Sequence, residues 1–277
     1  MPRLLSSDQI GAYRRDGFLS PVTVMSEREA AEYRARLEAV EAAWPDAMQG
    51  ANRNNAHLNL KVLDELTHHP RILDAVEDLL GPDILVCGTV LFIKEPGDPG
   101  FVSWHQDAKY MGLEPYADAT TIWLALSPAT EESGCMRMSP GSHAAGMRDH
   151  EDTYLETNIL TRGQSVYDVD EAAAVSTPLR PGQMSFHNLA VLHASSPNRS
   201  DDRRIGFAVQ SYLKPTVRQT RGETFVQLAR GTDPNRYLRH IGRPKTDMAA
   251  EDVAMREKVN ALWSDVLYFG AEKRRNF

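Results

Sequence analysis

From Ile84 onward the chain predicts a mainly β fold, an antiparallel barrel or sandwich, with α-helices flanking it on both sides. Short runs rich in β-branched and aromatic residues follow one another: ILVCGTVLFIK, FVSWHQD, TTIWLALS, GCMRMSP, GQMSFHN and RRIGFAVQSYL. Turn clusters such as EPGDPG, SPATEESG and SPNRSDD separate them. No long helical pattern alternates with these runs, which favours antiparallel pairing over a parallel sheet.

The stretch before the strands reads as helical. Ser6 with Gln9 and Ser26 with Glu29 have capping-box spacing, the second opening the run AAEYRARLEAVEAAW, which Pro45 closes. Pro70 starts and Gly81 stops a helix over PRILDAVEDLLGP, where Ile72, Leu73, Val76, Leu79 and Leu80 form an apolar face that a sheet must cover. Residues 247–269 read as a helical tail, and the acidic segment 149–175 as an insertion or lid. One domain over 1–277 is expected, with a helical part to about 81, a β core over about 84–213 and the tail.

With 31 Lys and Arg against 38 Asp and Glu, the net charge of -7 leaves no excess of positive charge for a nucleic acid partner. Cys87 and Cys135 do not make a disulfide framework, and MPRLLSSDQI lacks the apolar run of a signal peptide, so a reducing cytoplasm is expected. The apolar runs fall short of the roughly 20 residues of a membrane helix, so no membrane partner is expected. A small-molecule substrate is the expected partner, and nothing in the sequence sets an oligomeric state.

In SWHQDAKYMGL, His105 and Asp107 stand two apart. On a strand such residues share a face, so an imidazole and a carboxylate meet at one point while Gln106 faces away. An isolated H-x-D in a chain with nine histidines is more often a surface pair, and its neighbours must decide. His57, His68, His69, His150 and His240 lie in polar or helix-edge surroundings and read as solvent-facing; His143 closes MSPGSH. His187 and His193 flank NLAVL, and spacing alone does not choose between them. Two histidines and a carboxylate make the facial triad that holds Fe(II) with positions left open. Arg204 has the fork that grips a carboxylate, although Arg203 and Arg204 also read as a solvated pair after Asp201 and Asp202.

Taken together, WHQD, SGCMRMSPGSH and LHASSPNRSDDRRIG, in this order and spacing, resemble the phytanoyl-CoA dioxygenase family of Fe(II)/2-oxoglutarate-dependent oxygenases. The resemblance runs from about HPRILDAVEDLLG to AVQSYL. It implies a double-stranded β-helix, the cupin-like jelly roll, braced by helices. It implies Fe(II), 2-oxoglutarate as co-substrate and O2, with His105, Asp107 and His193 on the metal and His187 in support. It also implies that Arg204, helped by Ser195, holds the distal carboxylate of 2-oxoglutarate. Halogenating relatives have a small residue where this chain keeps Asp107, so hydroxylation is the expected outcome, with desaturation and epoxidation open.

Candidate substrate contacts follow from placement: Lys109 and Tyr110 directly after the pair, Arg137, and Asn55 and Asn59 of NRNNAHLN. Lys109 has the parity of His105 and Asp107 if the strand persists; it equally reads as a strand-end lysine reaching water. Tyr110 and Trp104 read as core or as a cage for a cation. The expected reaction is hydroxylation of an unactivated C–H in a small polar or zwitterionic metabolite, such as an amino-acid or aminoalkylphosphonate derivative. One alternative is a tailoring oxygenase of a natural-product intermediate. Another, of a different class, is a cupin-like metal-binding protein without 2-oxoglutarate turnover.

Overall fold

The computed structural model describes residues 2–275; Met1, Asn276 and Phe277, the ends of the expected domain, lie outside them. Two sheets build the jelly roll. The larger is eight-stranded and runs Phe18–Thr23, Gln183–His187, Ala119–Ala125, Arg204–Leu213, Ile84–Val86, Phe225–Arg230 and Arg239–His240, with Thr89–Lys94 also paired to Arg204–Leu213. The smaller is four-stranded and runs Val175–Thr177, Met136–Met138, His193–Ser195 and Val102–His105. Pairing within both is antiparallel apart from Phe225–Arg230 with Arg239–His240. Trp123, Ala125 and Ala208 of the larger sheet pack on Met136 and Met138 of the smaller, which gives the sandwich its dry interior.

The helices sit where their caps predict. Ser6 and Gln9 close a reciprocal capping box on Ser7–Asp16, and the Ser26 side chain accepts from Glu29 N at the start of Glu27–Ala43. Pro70–Leu80 ends at Gly81 and buries Ile72, Leu73, Val76 and Leu80 in the main core together with Ile84, Phe186 and Phe207 of the larger sheet. The tail forms one helix, Ala250–Leu267. Among the described residues no helix is long and apolar enough to cross a membrane.

Three expectations need correction. The helical N-terminal part contains a strand, Phe18–Thr23, because Gly17 ends the first helix at φ +81 and the apolar alternation that follows pairs with Gln183–His187. The strands do not stop at 213, since Phe225–Arg230 pairs with Ile84–Val86. His57 is buried, not solvent-facing: its Nδ1 lies 2.8 Å from Thr89 Oγ1. His68, His69, His150 and His240 are likewise drawn into contacts, with Asp64, Glu29, the Gln106 backbone and Asp233. The acidic segment folds over the small sheet as a short hairpin, Glu151–Asp152 with Gln164–Ser165, and Val166 N donates to Trp104 O.

Candidate metal and co-substrate site

His105 ends the Val102–His105 strand and His193 opens the neighbouring one; they are register partners, with ring centroids 4.1 Å apart. The strand stops there. Asp107 has helical angles, φ -57 and ψ -43, and begins a short turn, Ala108–Met111. The i, i+2 strand argument therefore does not hold: a turn, and not a shared strand face, brings Asp107 to His105, and Lys109 loses its parity with them.

Gln106 holds the turn in place. Its Nε2 donates to Gly146 O and Ala190 O, its Oε1 accepts from Arg148 N, and Ala108 N donates to Leu189 O. The carboxylate of Asp107 is thereby aimed back at the two imidazoles. His105 Nε2 lies 3.3 Å and His193 Nε2 3.9 Å from Asp107 Oδ1. One ligand atom from each of the three lies within 4.8 Å of the others.

The tautomers follow from the partners. His105 Nδ1 bonds to Ser103 O and His193 O, and His193 Nδ1 to Val191 O. A carbonyl only accepts, so Nδ1 carries a proton in both rings and Nε2 is the atom each ring turns toward the carboxylate. Burial, with His105 and His187 nearby, holds His193 well below the usual histidine range and hence neutral. Burial works to raise the Asp107 carboxyl, but the side-chain contacts from His105 and His187 hold it well below the usual range. A neutral His193 and an ionised Asp107 are protonation states that suit a divalent metal, and the donor set of two imidazoles and a carboxylate fits Fe(II). His187 is buried beside this group, its Nε2 3.4 Å from Asp107 Oδ2.

A second feature lies beside it. Arg204 is 2% exposed, donates from Nη1 to Gly134 O and stacks its guanidinium over Trp123, 5.1 Å from the ring centroid. Directly opposite in the ladder is Lys94, 1% exposed, whose Nζ donates to Ser195 Oγ at 2.9 Å and Ser196 O at 2.5 Å. Burial pushes Arg204 down to about 10, and burial together with Arg204 pushes Lys94 down to about 7. Neither has a carboxylate partner among the described residues. Two buried cations side by side cost free energy unless an anion joins them, which is the condition a dicarboxylic co-substrate satisfies. Ser195 meets this pocket through Lys94. Lys94 itself escaped sequence reading; its only signal was a lysine closing the apolar run VLFIK.

The two features share a cavity of about 50 Å³ lined by His105, Asp107, His193, Ser195 and Arg204. Glycine at 206 is required here: a Cβ would fall inside the indole of Trp123, which lies against that strand to reach Arg204.

Through Phe92 and Gln210 this cavity adjoins a larger one of about 530 Å³. None of the five expected substrate contacts lines either. Asn55 is buried, with Oδ1 accepting from Thr89 N and Nδ2 donating to Asn260. Asn59 is buried against Arg256 and Met248. Arg137 pairs with Glu171 and covers Trp104. Tyr110 is packed between His150 and the Arg162 guanidinium, and burial raises its pKa. Lys109 stands on the turn, its carbonyl bound by Arg221. The stretch NRNNAHLN does reach the cavity, through Arg53 and Asn54. The 3₁₀ turn Gly50–Arg53 presents these, whereas Asn55 turns inward at φ +54.

The family model of phytanoyl-CoA dioxygenase (PhyH) matches residues 13–206. The chain belongs to the phytanoyl-CoA dioxygenase family. A probable alpha-ketoglutarate-dependent hypophosphite dioxygenase of Stutzerimonas stutzeri is 31% identical over 167 residues, 56% of this chain and 55% of that protein. The chain thus spans about half the length of that curated relative. Among solved structures, the non-haem monooxygenase ThoJ in its apo form is 36% identical with a TM-score of 0.83, over 94% of this chain and 97% of that one. The non-haem alpha-ketoglutarate-dependent carbocyclase SnoK from nogalamycin biosynthesis is 26% identical with a TM-score of 0.61, over 78% and 86%. The fold of this PhyH-family chain is the cupin-like jelly roll of the non-haem oxygenases. The family's class is that of Fe(II)- and 2-oxoglutarate-dependent oxygenases, and Fe(II), 2-oxoglutarate and O2 are the cofactors of that class.

Proposed function

We propose that the chain is an Fe(II)/2-oxoglutarate-dependent dioxygenase that hydroxylates an unactivated C–H of a small polar or zwitterionic metabolite. One observation carries the reading: a two-histidine, one-carboxylate group opens onto the same cavity as buried Arg204, whose ladder partner Lys94 is buried behind it, and neither cation has a carboxylate partner among the described residues. In this reading His105, Asp107 and His193 hold the metal, Arg204 and Lys94 hold the distal carboxylate of 2-oxoglutarate, and Ser195 fixes Lys94. The whole chain acts as one oxygenase domain, since Trp263 and Leu267 of the tail helix line the larger cavity together with Arg53 of the N-terminal part.

When bound, iron and 2-oxoglutarate supply the oxidising chemistry, with dioxygen consumed and 2-oxoglutarate converted to succinate and carbon dioxide. The chain's residues supply placement. The carbonyl bonds at Nδ1 keep both imidazoles turned with Nε2 inward. Arg204 offers parallel charge-assisted bonds, and the Trp123 ring fixes the plane of its guanidinium. Phe92 and Gln210 stand where the two cavities meet, so a substrate in the larger one presents its reacting carbon past them. Retention of Asp107 favours hydroxylation.

The hypophosphite dioxygenase relative supports a small polar substrate. The volume of about 530 Å³ and the resemblance to SnoK favour a second reading, a tailoring oxygenase acting on a bulkier natural-product intermediate. A cupin-like binder without turnover leaves the buried Arg204–Lys94 pair without a purpose. The test is succinate release across both substrate sets, with mass spectrometry for a gain of one oxygen atom. A protein that binds Fe(II) but neither binds 2-oxoglutarate nor releases succinate would sink the proposal.

A further inference from the structure

The larger cavity carries two opposite charges on one wall that are not spent on each other. Arg53 reaches it from the turn Gly50–Arg53, held by Nε to Met48 O and Nη1 to Ile93 O, and no bond reaches Nη2 among the described residues. Asp98 reaches it from the loop after Lys94; its Oδ1 accepts from Gly100 N, and among the described residues no hydrogen bond reaches Oδ2. Asp98 acts on Arg53 electrostatically, yet they stand farther apart than an ion pair.

Glu156 also lines the cavity but is exposed to solvent; the other charges nearby are committed. Arg203 uses both Glu41 and Glu95, and Arg275 donates to the carbonyls of Tyr154, Leu155, Asn158 and Leu160. An open cation beside an open anion, too far apart to close on each other, is the complement of a ligand carrying both charges on neighbouring atoms. Phe92, Trp263 and Leu267 give the cavity apolar surface that suits a large side chain, alongside polar Asn54, Asn158 and Thr161.

We propose that Arg53 and Asp98 form a zwitterion clamp for an α-amino-carboxylate head, Arg53 taking the carboxylate and Asp98 the ammonium, and that they set substrate class for the neighbouring iron site. This deepens the proposed function and rests on it. The carboxylate receives Nη2 of Arg53 in a charge-assisted bond, and the ammonium donates to Oδ2 of Asp98. The residue's side chain then extends along the apolar wall toward Phe92 and Gln210.

The experiment uses L-tryptophan, tryptamine and indole-3-propionate, which share the indole and differ in which charge they keep. Affinities are measured by calorimetry on the protein with and without Fe(II) and 2-oxoglutarate, in the absence of oxygen. The parent protein binds L-tryptophan about tenfold to a hundredfold more tightly than either analogue, because a site built to bond a polar group rejects the analogue lacking it. Arg53→Gln removes the preference over tryptamine, and Asp98→Asn the preference over indole-3-propionate. Absence of L-tryptophan binding in the parent, or preferences that survive both substitutions, overturns the clamp. The visible absorption of the Fe(II)–2-oxoglutarate complex, recorded on the same samples, reports separately on the proposed function; its absence sinks that reading whatever the affinity ratios.

Discussion

Lys94 and Arg204 face each other across one antiparallel rung, both buried and, among the described residues, neither paired with a carboxylate. In the proposed reading they hold the distal carboxylate of 2-oxoglutarate. Arg204→Ala is expected to raise the dissociation constant of 2-oxoglutarate by about 30-fold to 5000-fold, the effect of removing one partner of a buried charge pair worth about 2–5 kcal/mol. Iron content stays near that of the parent, since Arg204 does not contact the three metal-facing residues. Calorimetry with 2-oxoglutarate and metal analysis on the same variant check both halves, and parent-like affinity would remove Arg204 from the site.

The same pair makes 2-oxoglutarate binding depend on pH. Lys94 is pushed down to about 7 in the free protein by burial and by Arg204. Above that pH its amine is largely neutral, and binding a carboxylate beside it draws a proton back. Affinity for 2-oxoglutarate is therefore expected to fall as pH rises through about 7 towards 9, with net proton uptake on binding. Calorimetry in buffers of different ionisation enthalpy measures that uptake. In Lys94→Met the uptake disappears and the affinity becomes flat over this range.

Gly206 and Trp123 give a steric prediction. A Cβ at 206 falls inside the indole, so Gly206→Ala displaces the ring that supports the Arg204 guanidinium. Overpacking of this kind costs about 1–3 kcal/mol in stability, and the KM for 2-oxoglutarate rises with it. Adding Trp123→Phe, which removes the clashing part of the indole, recovers part of the lost stability in thermal melts. A double variant no more stable than Gly206→Ala would show that the ring is not the obstacle.

The helices and most strands were legible because local chemistry sets them: caps at Ser6 and Ser26, stops at Pro45 and Gly81, β-branched runs between polar turns. The metal-facing trio was legible as residue types in order. Its geometry was not, because the turn at Asp107 is set by Gln106 reaching Gly146, Ala190 and Arg148, contacts that no local pattern encodes. Lys94 escaped for the opposite reason: a lysine at a strand end ordinarily reaches water, and only the rung opposite Arg204 buries it. The substrate guesses failed where they assumed that proximity in sequence means proximity in space. Asn55 and Arg53 are two residues apart, but the backbone reversal at Asn55 sends one into the core and leaves the other in the cavity.

Gln106 has its own prediction. Its carboxamide makes three bonds to main-chain groups, so Gln106→Ala leaves buried partners unsatisfied at a cost of about 1–3 kcal/mol each. A loss in melting temperature alone would describe any core residue. The turn that carries Asp107 hangs on these bonds, so Fe(II) affinity is expected to fall as well, while 2-oxoglutarate affinity of the metal-free protein stays close to the parent's. Equal iron affinity in parent and variant would show that Asp107 is positioned by other contacts.

His57 predicts how the fold responds to acid. Burial, with His68 adding to it, pushes His57 down to about 3 from the usual 6.5. Between those values the unfolded chain takes up a proton that the folded chain refuses, so stability falls as pH drops from about 6.5 to 3, and this contribution is absent above 6.5. At a full 1.36 kcal/mol per unit the loss is on the order of 5 kcal/mol at the acid end. In His57→Gln the side chain still reaches Thr89 Oγ1 but does not titrate. Urea unfolding of both proteins across this range is expected to show a steeper acid limb for the parent; parallel limbs would mean that other buried groups govern acid unfolding.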